Sequence, residues 1–234
     1  MTPTALVLGY VPGATPAKWA RIWAQRHPEV PLQLHPLAAA EAASAVRDGT
    51  VDVALLRLPA DTSQLCVIGL YEEQTVAVVP ADHLLSAFEE VRAADLDDEP
   101  TLIPLDDVLA WSDAPGAPDA HRPDTTKGAL ALVAAGMGML IVPQSLARLY
   151  HRKDLIYRPI TDAPLSPVAI AYRQGQQTGL IEDFVGIVRG RTAGSSRGRS
   201  EPTPKRTARQ KTLAKQANRA VAGRTARQSG RPRR

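Results

Sequence analysis

Residues 5–57 read ALVLGYVPGATPAKWARIWAQRHPEVPLQLHPLAAAEAASAVRDGTVDVALLR, and this stretch decides the fold. Ala5–Gly9 is a short apolar run closed by glycine, the pattern of a buried strand. After a loop over 10–14, Thr15-Pro16 predicts a helix start, with threonine at the cap and proline in the first turn. Trp19, Ile22, Trp23 and Arg26 recur at helical spacing, and His27-Pro28 closes the helix. Pro31–His35 alternates apolar and polar residues as a half-buried strand does. Ala38–Arg47 is alanine-rich and helical, with Asp48-Gly49 as its stop. Val51–Leu56 is a third strand. The order β-α-β-α-β predicts a parallel sheet with covering helices.

Working outward, Cys66–Leu70 and Thr75–Val79 read as two more strands, and Pro80-Ala81-Asp82 breaks the chain at a lobe boundary. Asp95–Glu99 is an acidic turn, Thr101–Pro104 a strand, and the Pro- and Asp-rich residues 113–124 a loop. Thr126–Ala135 is helical and Gly136-Met137-Gly138 ends it by chain reversal, not as a phosphate loop, because the glycines follow a helix. Met139–Val142 is a strand, Pro143–Tyr150 a helix, and Leu155–Ile160 and Pro167–Tyr172 are strands. Leu180, Ile181, Phe184, Val185 and Val188 put an apolar stripe on a last helix.

The net charge of +4 hides a division. Residues 1–188 hold 13 Lys or Arg against 23 acids, whereas residues 189–234 hold 15 Lys or Arg against the single acid Glu201. The body should repel nucleic acid and the tail attract it. The tail has no aromatic residue and few large apolar ones, so it is expected to be disordered alone. The single cysteine, Cys66, permits no internal disulfide, and its place in a strand makes it a small core residue. With no signal-like N-terminus and no long apolar segment, the expected location is cytoplasmic, with no membrane contact. The five histidines lack metal-ligand spacing, and there is no G-x-S-x-G, P-loop or C-x-x-C. No metal, no cofactor and no catalytic residues are therefore expected, and the protein is read as non-enzymatic. The acidic pairs Asp97-Asp98 and Asp106-Asp107 read as solvated surface.

In this order, LGYVPGATP, HPEVPLQLHP, VRDGTVDVALLRLP, VAVVPADHLL, LVAAGMGMLIVPQSLARL and YRPITDAPLSPVAIAYR resemble the effector-binding domain of LysR-type transcriptional regulators. The resemblance covers roughly residues 4–188. It implies an α/β, two-lobed, periplasmic-binding-protein-like domain of type 2, followed by the disordered basic tail 189–234. Lobe I would comprise 1–79 and 164–188, and lobe II 80–163. A small-molecule effector would bind between the lobes, and a homodimer is compatible with the family. Two departures stand out. The chain starts at the first strand, so the family's N-terminal winged helix-turn-helix is expected to be absent from it. The stretch between Pro104 and Thr125 is short and Pro- and Asp-rich where the family has a helix, so lobe II is expected to lack that helix.

Open α/β sheets bind ligands beyond the carboxyl ends of their strands. Gly13-Ala14-Thr15-Pro16 stands at such an end and opens a helix, whose free N–H groups favour a carboxylate. The resemblance implies that Thr15 touches the effector; it could equally cap the helix, or do both. Arg57 ends the third strand on the same edge. It either pairs an effector carboxylate or is a surface arginine of the hinge, paired with an aspartate. Thr125 and Thr126, with Lys127, open the lobe II helix, either facing Thr15 across the cleft or simply capping. Tyr10 and Pro104 are further candidates for the lining. Trp19 and Trp23 read as a core stripe and not as an aromatic cage.

The tail is the candidate nucleic-acid element, through Lys205, Arg206, Arg209, Lys211, Lys215, Arg219, Arg224, Arg227, Arg231, Arg233 and Arg234. Its end, Ser229-Gly230-Arg231-Pro232-Arg233-Arg234, partly resembles an AT-hook; generic phosphate binding to DNA or RNA is the broader reading. Two functions remain open. One is a regulator that senses a small anionic molecule and is held on nucleic acid by its tail. The other is a ligand-less domain serving as an interaction module on DNA, RNA or a ribosome.

Overall fold

The computed structural model describes residues 5–119 and 122–191; the tail cations from Lys205 to Arg234 lie outside the described residues. Two five-stranded sheets are present, in one compact unit.

The first sheet has the order β2-β1-β3-β10-β4, formed by β1 (Leu6–Tyr10), β2 (Leu32–Pro36), β3 (Val53–Arg57), β4 (Leu65–Glu73) and β10 (Ser166–Arg173). β1 pairs in parallel with β2 and β3, as the opening β-α-β-α-β pattern predicts. The sheet as a whole is mixed, because β10 runs antiparallel to both β3 and β4. The helices α1 (Ala17–Arg26), α2 (Ala42–Arg47) and α5 (Gly179–Val188) pack on it. The helix expected over 38–47 is split: Ala39–Glu41 forms a 3₁₀ turn that leads into α2. Strand β2 does not show the expected alternation. It is a sheet edge along which every residue after Leu32 is exposed.

One apolar cluster fills this lobe. Trp23 is fully buried, its ring stacks on His27 at 4.2 Å and meets Phe184 edge-on at 5.8 Å. Its indole N–H donates to the Val30 carbonyl at 2.7 Å, so the large apolar body is buried without an orphaned donor. The Trp19/Ile22/Trp23 stripe is thus core. Cys66 packs against the same cluster, partly buried.

The second sheet has the order β7-β6-β8-β5-β9, from β5 (Thr75–Pro80), β6 (Pro100–Leu102), β7 (Ala117–Pro118), β8 (Met139–Pro143) and β9 (Leu155–Pro159). The period of two in side-chain direction is plain in its core. Val76 and Val78 of β5 and Leu140 and Val142 of β8 join one cluster with α3 (Thr126–Ala134) and α4 (Gln144–Leu149). Ala77, Val79, Met139 and Ile141 join another, closed by Leu85, Val91, Leu96 and Trp111 from 3₁₀ turns and loops. Among its described residues, the stretch between Pro104 and Thr125 contains no helix; it contributes β7 instead. Gly138 (φ +134°) shows why that turn needs glycine: an added Cβ would run into the Pro100 carbonyl.

The chain passes from the first sheet to the second between β4 and β5, and returns between β9 and β10. No described helix is long and apolar enough to cross a membrane.

Candidate ligand-binding cleft

Three strand ends converge between the sheets. The loop after β1 (Tyr10, Pro12–Thr15), the end of β4 with its crossover (Tyr71–Gln74), and the short helix α4 that follows β8 (Gln144, Ser145, Arg148, Leu149) line a cleft of about 780 Å³. All three segments lie at carboxyl ends, where open sheets leave room for ligands.

The wall of this cleft is built on Arg57. It is not the surface residue considered from sequence: it is 4% exposed. One terminal nitrogen donates to Glu73 Oε2 at 3.0 Å and to Ser166 Oγ at 3.2 Å. The other donates to the Pro12 carbonyl at 3.2 Å and to Ser145 Oγ at 2.8 Å. Ser145 Oγ in turn donates to Glu73 Oε2 at 2.6 Å. Arg57 therefore binds the β1 loop, the crossover and α4 of the other lobe at once. The partner is a glutamate and not the aspartate expected. A buried guanidinium of this kind requires both its counter-charge and its hydrogen bonds. Its Nε is buried with no hydrogen-bond partner. Gly13 (φ +85°) lets the β1 loop approach this knot, since a Cβ there would strike Ser145 Oγ and stand 2.7 Å from the guanidinium.

Of the residues singled out from sequence, Tyr10, Gly13 and Thr15 line the cleft. The threonine cap expected at α1 is not made: Pro16 occupies the cap position, its carbonyl accepts from Ala20 N at 2.9 Å, and no side chain caps the helix. Thr15 stands exposed at the cleft instead. Arg57 lies directly behind the lining. Pro104, Thr125 and Thr126 gather elsewhere in lobe II. Pro104 lines a separate cavity of about 40 Å³ with Trp111 and Ile141, and its carbonyl accepts from Arg122 at 3.0 Å. Thr125 caps α3, accepting from Gly128 N at 3.0 Å. Thr126 donates to Asp106 Oδ1 from its backbone at 2.6 Å and from its hydroxyl at 2.8 Å. Asp106 is exposed, as read from sequence, and in addition accepts at a helix N-terminus, where the free N–H groups favour an acid. Asp107 accepts from Leu109 N and Ala110 N.

Sequence reasoning missed Tyr71, Glu73, Gln144, Ser145 and Arg148. Their common signal is position: each follows or ends a strand that points into the cleft, so the carboxyl-end rule that selected Gly13 applies equally to Glu73 and Ser145. Burial and the Glu73 carboxylate raise the Tyr71 phenol above its ordinary value, against the opposing pull of Arg57. Tyr71 is therefore a neutral hydroxyl at physiological pH. Among the described residues no group of three or more His, Cys, Asp or Glu could hold a metal ion.

The chain resembles proteins already characterised. It is 27% identical over 203 residues to the Hca operon transcriptional activator HcaR of Escherichia coli (strain K12), covering 80% of this chain and 68% of that protein. It is 26% identical to the HTH-type transcriptional regulator AlsR of Bacillus subtilis (strain 168), with coverage of 78% and 65%. The chain thus spans about two thirds of the length of these relatives. In fold it matches the effector binding domain of a BenM variant (TM-score 0.67, 22% identity, 80% of this chain and 94% of the other). It also matches the reduced form of OxyR (TM-score 0.68, 20% identity, 81% and 96%). The LysR substrate binding domain family matches residues 9–193, and the chain belongs to that family.

Proposed function

We propose that this chain is the effector-sensing part of a transcription regulator, binding a small carboxylate between its lobes. The observation that carries this reading is the cleft. Its volume falls in the range of about 300–1,000 Å³ usual for small-molecule sites, and both lobes contribute polar side chains to it. Two relatives bear the names of transcriptional regulators, and one fold neighbour is described as the BenM effector binding domain with its effector benzoate. Ligand contacts to both lobes would alter their relative closure, and with it the surface presented to partners, including a second copy.

The second part of the proposal concerns residues 189–234. Their 15 cations against one acid suit phosphate contacts, and the acidic body does not. The tail would hold the protein on nucleic acid through charge, with steep salt dependence. Nothing in the cleft calls for catalysis, and the reading is non-enzymatic.

A thermal-shift screen with small carboxylates tests the cleft. Stabilisation by at least one acid, lost in Thr15→Ala, supports it. A flat response across acetate-sized to aromatic acids favours the alternative of a ligand-less interaction module, for which one feature speaks: Arg57, the arginine singled out from sequence for a carboxylate, is already paired with Glu73. Gel-shift titration of the full chain against a 1–188 truncation tests the tail. Equal binding by both, or by neither at low salt, overturns it.

A further inference from the structure

Glu73 and Arg148 give the cleft two unlike ends. Glu73 accepts both of its hydrogen bonds, from Arg57 and from Ser145, on the single oxygen Oε2. The other oxygen, Oε1, has no donor among the described residues. Among the described residues the buried side-chain atoms left without a partner are Arg57 Nε and Arg158 Nε, and Oε1 is not sealed off in this way. An unpaired oxygen that is not sealed off is reached by solvent, and Glu73 lines the cleft. Oε1 therefore offers open lone pairs to whatever enters.

Arg57 cannot reverse that polarity. Both terminal nitrogens of its guanidinium are bonded to Glu73, Ser166, Pro12 and Ser145. A plain carboxylate lying against this wall would set its oxygens against Glu73 Oε1, a like-charge contact that selects against it. A hydroxyl or ammonium group there would complete the acceptor.

The cation of the cleft stands on the other lobe. Arg148 follows Ser145 by three residues on α4, so the two share one helix face with Cβ atoms about 5–6 Å apart. Ser145 Oγ touches Glu73, which places the acceptor and the cation about one helical turn apart. Arg148 Nε donates to the Tyr157 hydroxyl at 3.2 Å, and its two terminal nitrogens have no bond to any described residue, while the side chain lines the cleft. Glu72, exposed at the rim, adds to the negative side. Tyr10, Pro12, Tyr71 and Leu149 supply the apolar or aromatic surface between.

We infer that the ligand of this cleft is a hydroxy acid or amino acid, its donor end on Glu73 Oε1 and its carboxylate on Arg148, and not a simple carboxylate. This rests on the proposed sensing role of the cleft and narrows it to a chemical class. The donor and anion ends are separated by a spacer, because the two protein groups are a helical turn apart.

The test is calorimetric titration of the full chain with matched acids: benzoate, para-hydroxybenzoate and para-(aminomethyl)benzoate. The two donor-bearing acids are expected to bind at least about tenfold more tightly than benzoate, the usual weight of a hydrogen bond to a charged group. Benzoate binding as tightly as either overturns the donor requirement and leaves the sensing role standing. Binding by none of these, nor by a panel of aliphatic acids with and without hydroxyl or amino groups, overturns the sensing role and this inference with it. Glu73→Gln, checked for folding by circular dichroism, is expected to close the gap between benzoate and the aminomethyl acid. A gap unchanged in the folded variant assigns the preference elsewhere and overturns the role of Glu73. If the variant does not fold, the ranking of the three acids on the unaltered protein decides alone.

Discussion

The two sheets are buried in different ways. Around the first, three helices and the sheet share one continuous apolar cluster with Trp23 and Phe184 among its largest members. The second divides its core by strand parity, one face under α3 and α4, the other under 3₁₀ turns and loops carrying Leu85, Leu96 and Trp111. A helix-covered face is held by regular backbone hydrogen bonds and cannot easily close over a void. A loop-covered face can move to fill one. The same alternating strand sequence thus supports a helix-covered wall on one side and a loop-covered one on the other, and α4, on the helix-covered face, is the one that lines the cleft.

The largest effects should come from the first lobe. Trp23→Ala removes a fully buried ring, its stack on His27 and its bond to Val30, and is expected to cost about 3–5 kcal/mol in denaturant unfolding. A loss below about 1 kcal/mol would contradict the single-cluster description. Arg57→Ala should be of similar size, about 3–5 kcal/mol, because it strands Glu73, whose side chain is only 10% exposed. It also removes one of the two first-lobe bonds to Ser145, leaving only that to Glu73, so lobe closure followed by small-angle scattering should change with it. Unaltered scattering and stability together would show that the knot does not join the lobes.

The second lobe offers a sharper contrast between its own faces. Leu130 and Leu96 are both almost fully buried, one on α3 and one in a 3₁₀ turn. Leucine-to-alanine changes cost about 2–5 kcal/mol, depending on how far the surroundings collapse. Leu130→Ala is expected toward the upper end and Leu96→Ala toward the lower. The reverse order would mean that the loop-covered face is the stiffer one.

Much of this architecture was legible in the sequence because strands and helices leave local periodicity. The runs 51–56, 139–142 and 180–188 mark their elements to within a residue or two. What periodicity does not encode is partnership across the chain. The placement of Ser166 and the antiparallel return of β10 beside β3, which makes the first sheet mixed, follow from a connection of more than a hundred residues. The same limit explains the site. Tyr10, Gly13 and Thr15 form one local segment, and that segment lines the cleft. Arg57 looked available because its partners, Glu73 and Ser145, are 16 and 88 residues away in sequence. Asp106 is exposed as read, but its bond to Thr126 was hidden because the two are 20 residues apart. Residues whose role depends on a remote partner are the ones sequence reading misplaced.

The smallest effects separate two threonines that look alike in sequence. Thr15 and Thr125 both stand just before a helix. Thr125 has an extended backbone and its hydroxyl accepts from Gly128 N at 3.0 Å, so Thr125→Ala should cost about 1 kcal/mol. Thr15 precedes a proline that itself takes the cap position, and no side chain caps that helix. The first N–H groups of α1 are left without a side-chain acceptor, while the Thr15 hydroxyl remains exposed at the cleft. Thr15→Ala should therefore leave stability within about 0.5 kcal/mol, as exposed substitutions away from structural bonds do. Any effect of that variant should appear in ligand binding. The two variants measured together, by denaturant midpoint and by titration with the same acid, give opposite signatures: stability lost with affinity kept for Thr125→Ala, and affinity lost with stability kept for Thr15→Ala. Loss of stability in both would return Thr15 to a structural role at the helix end.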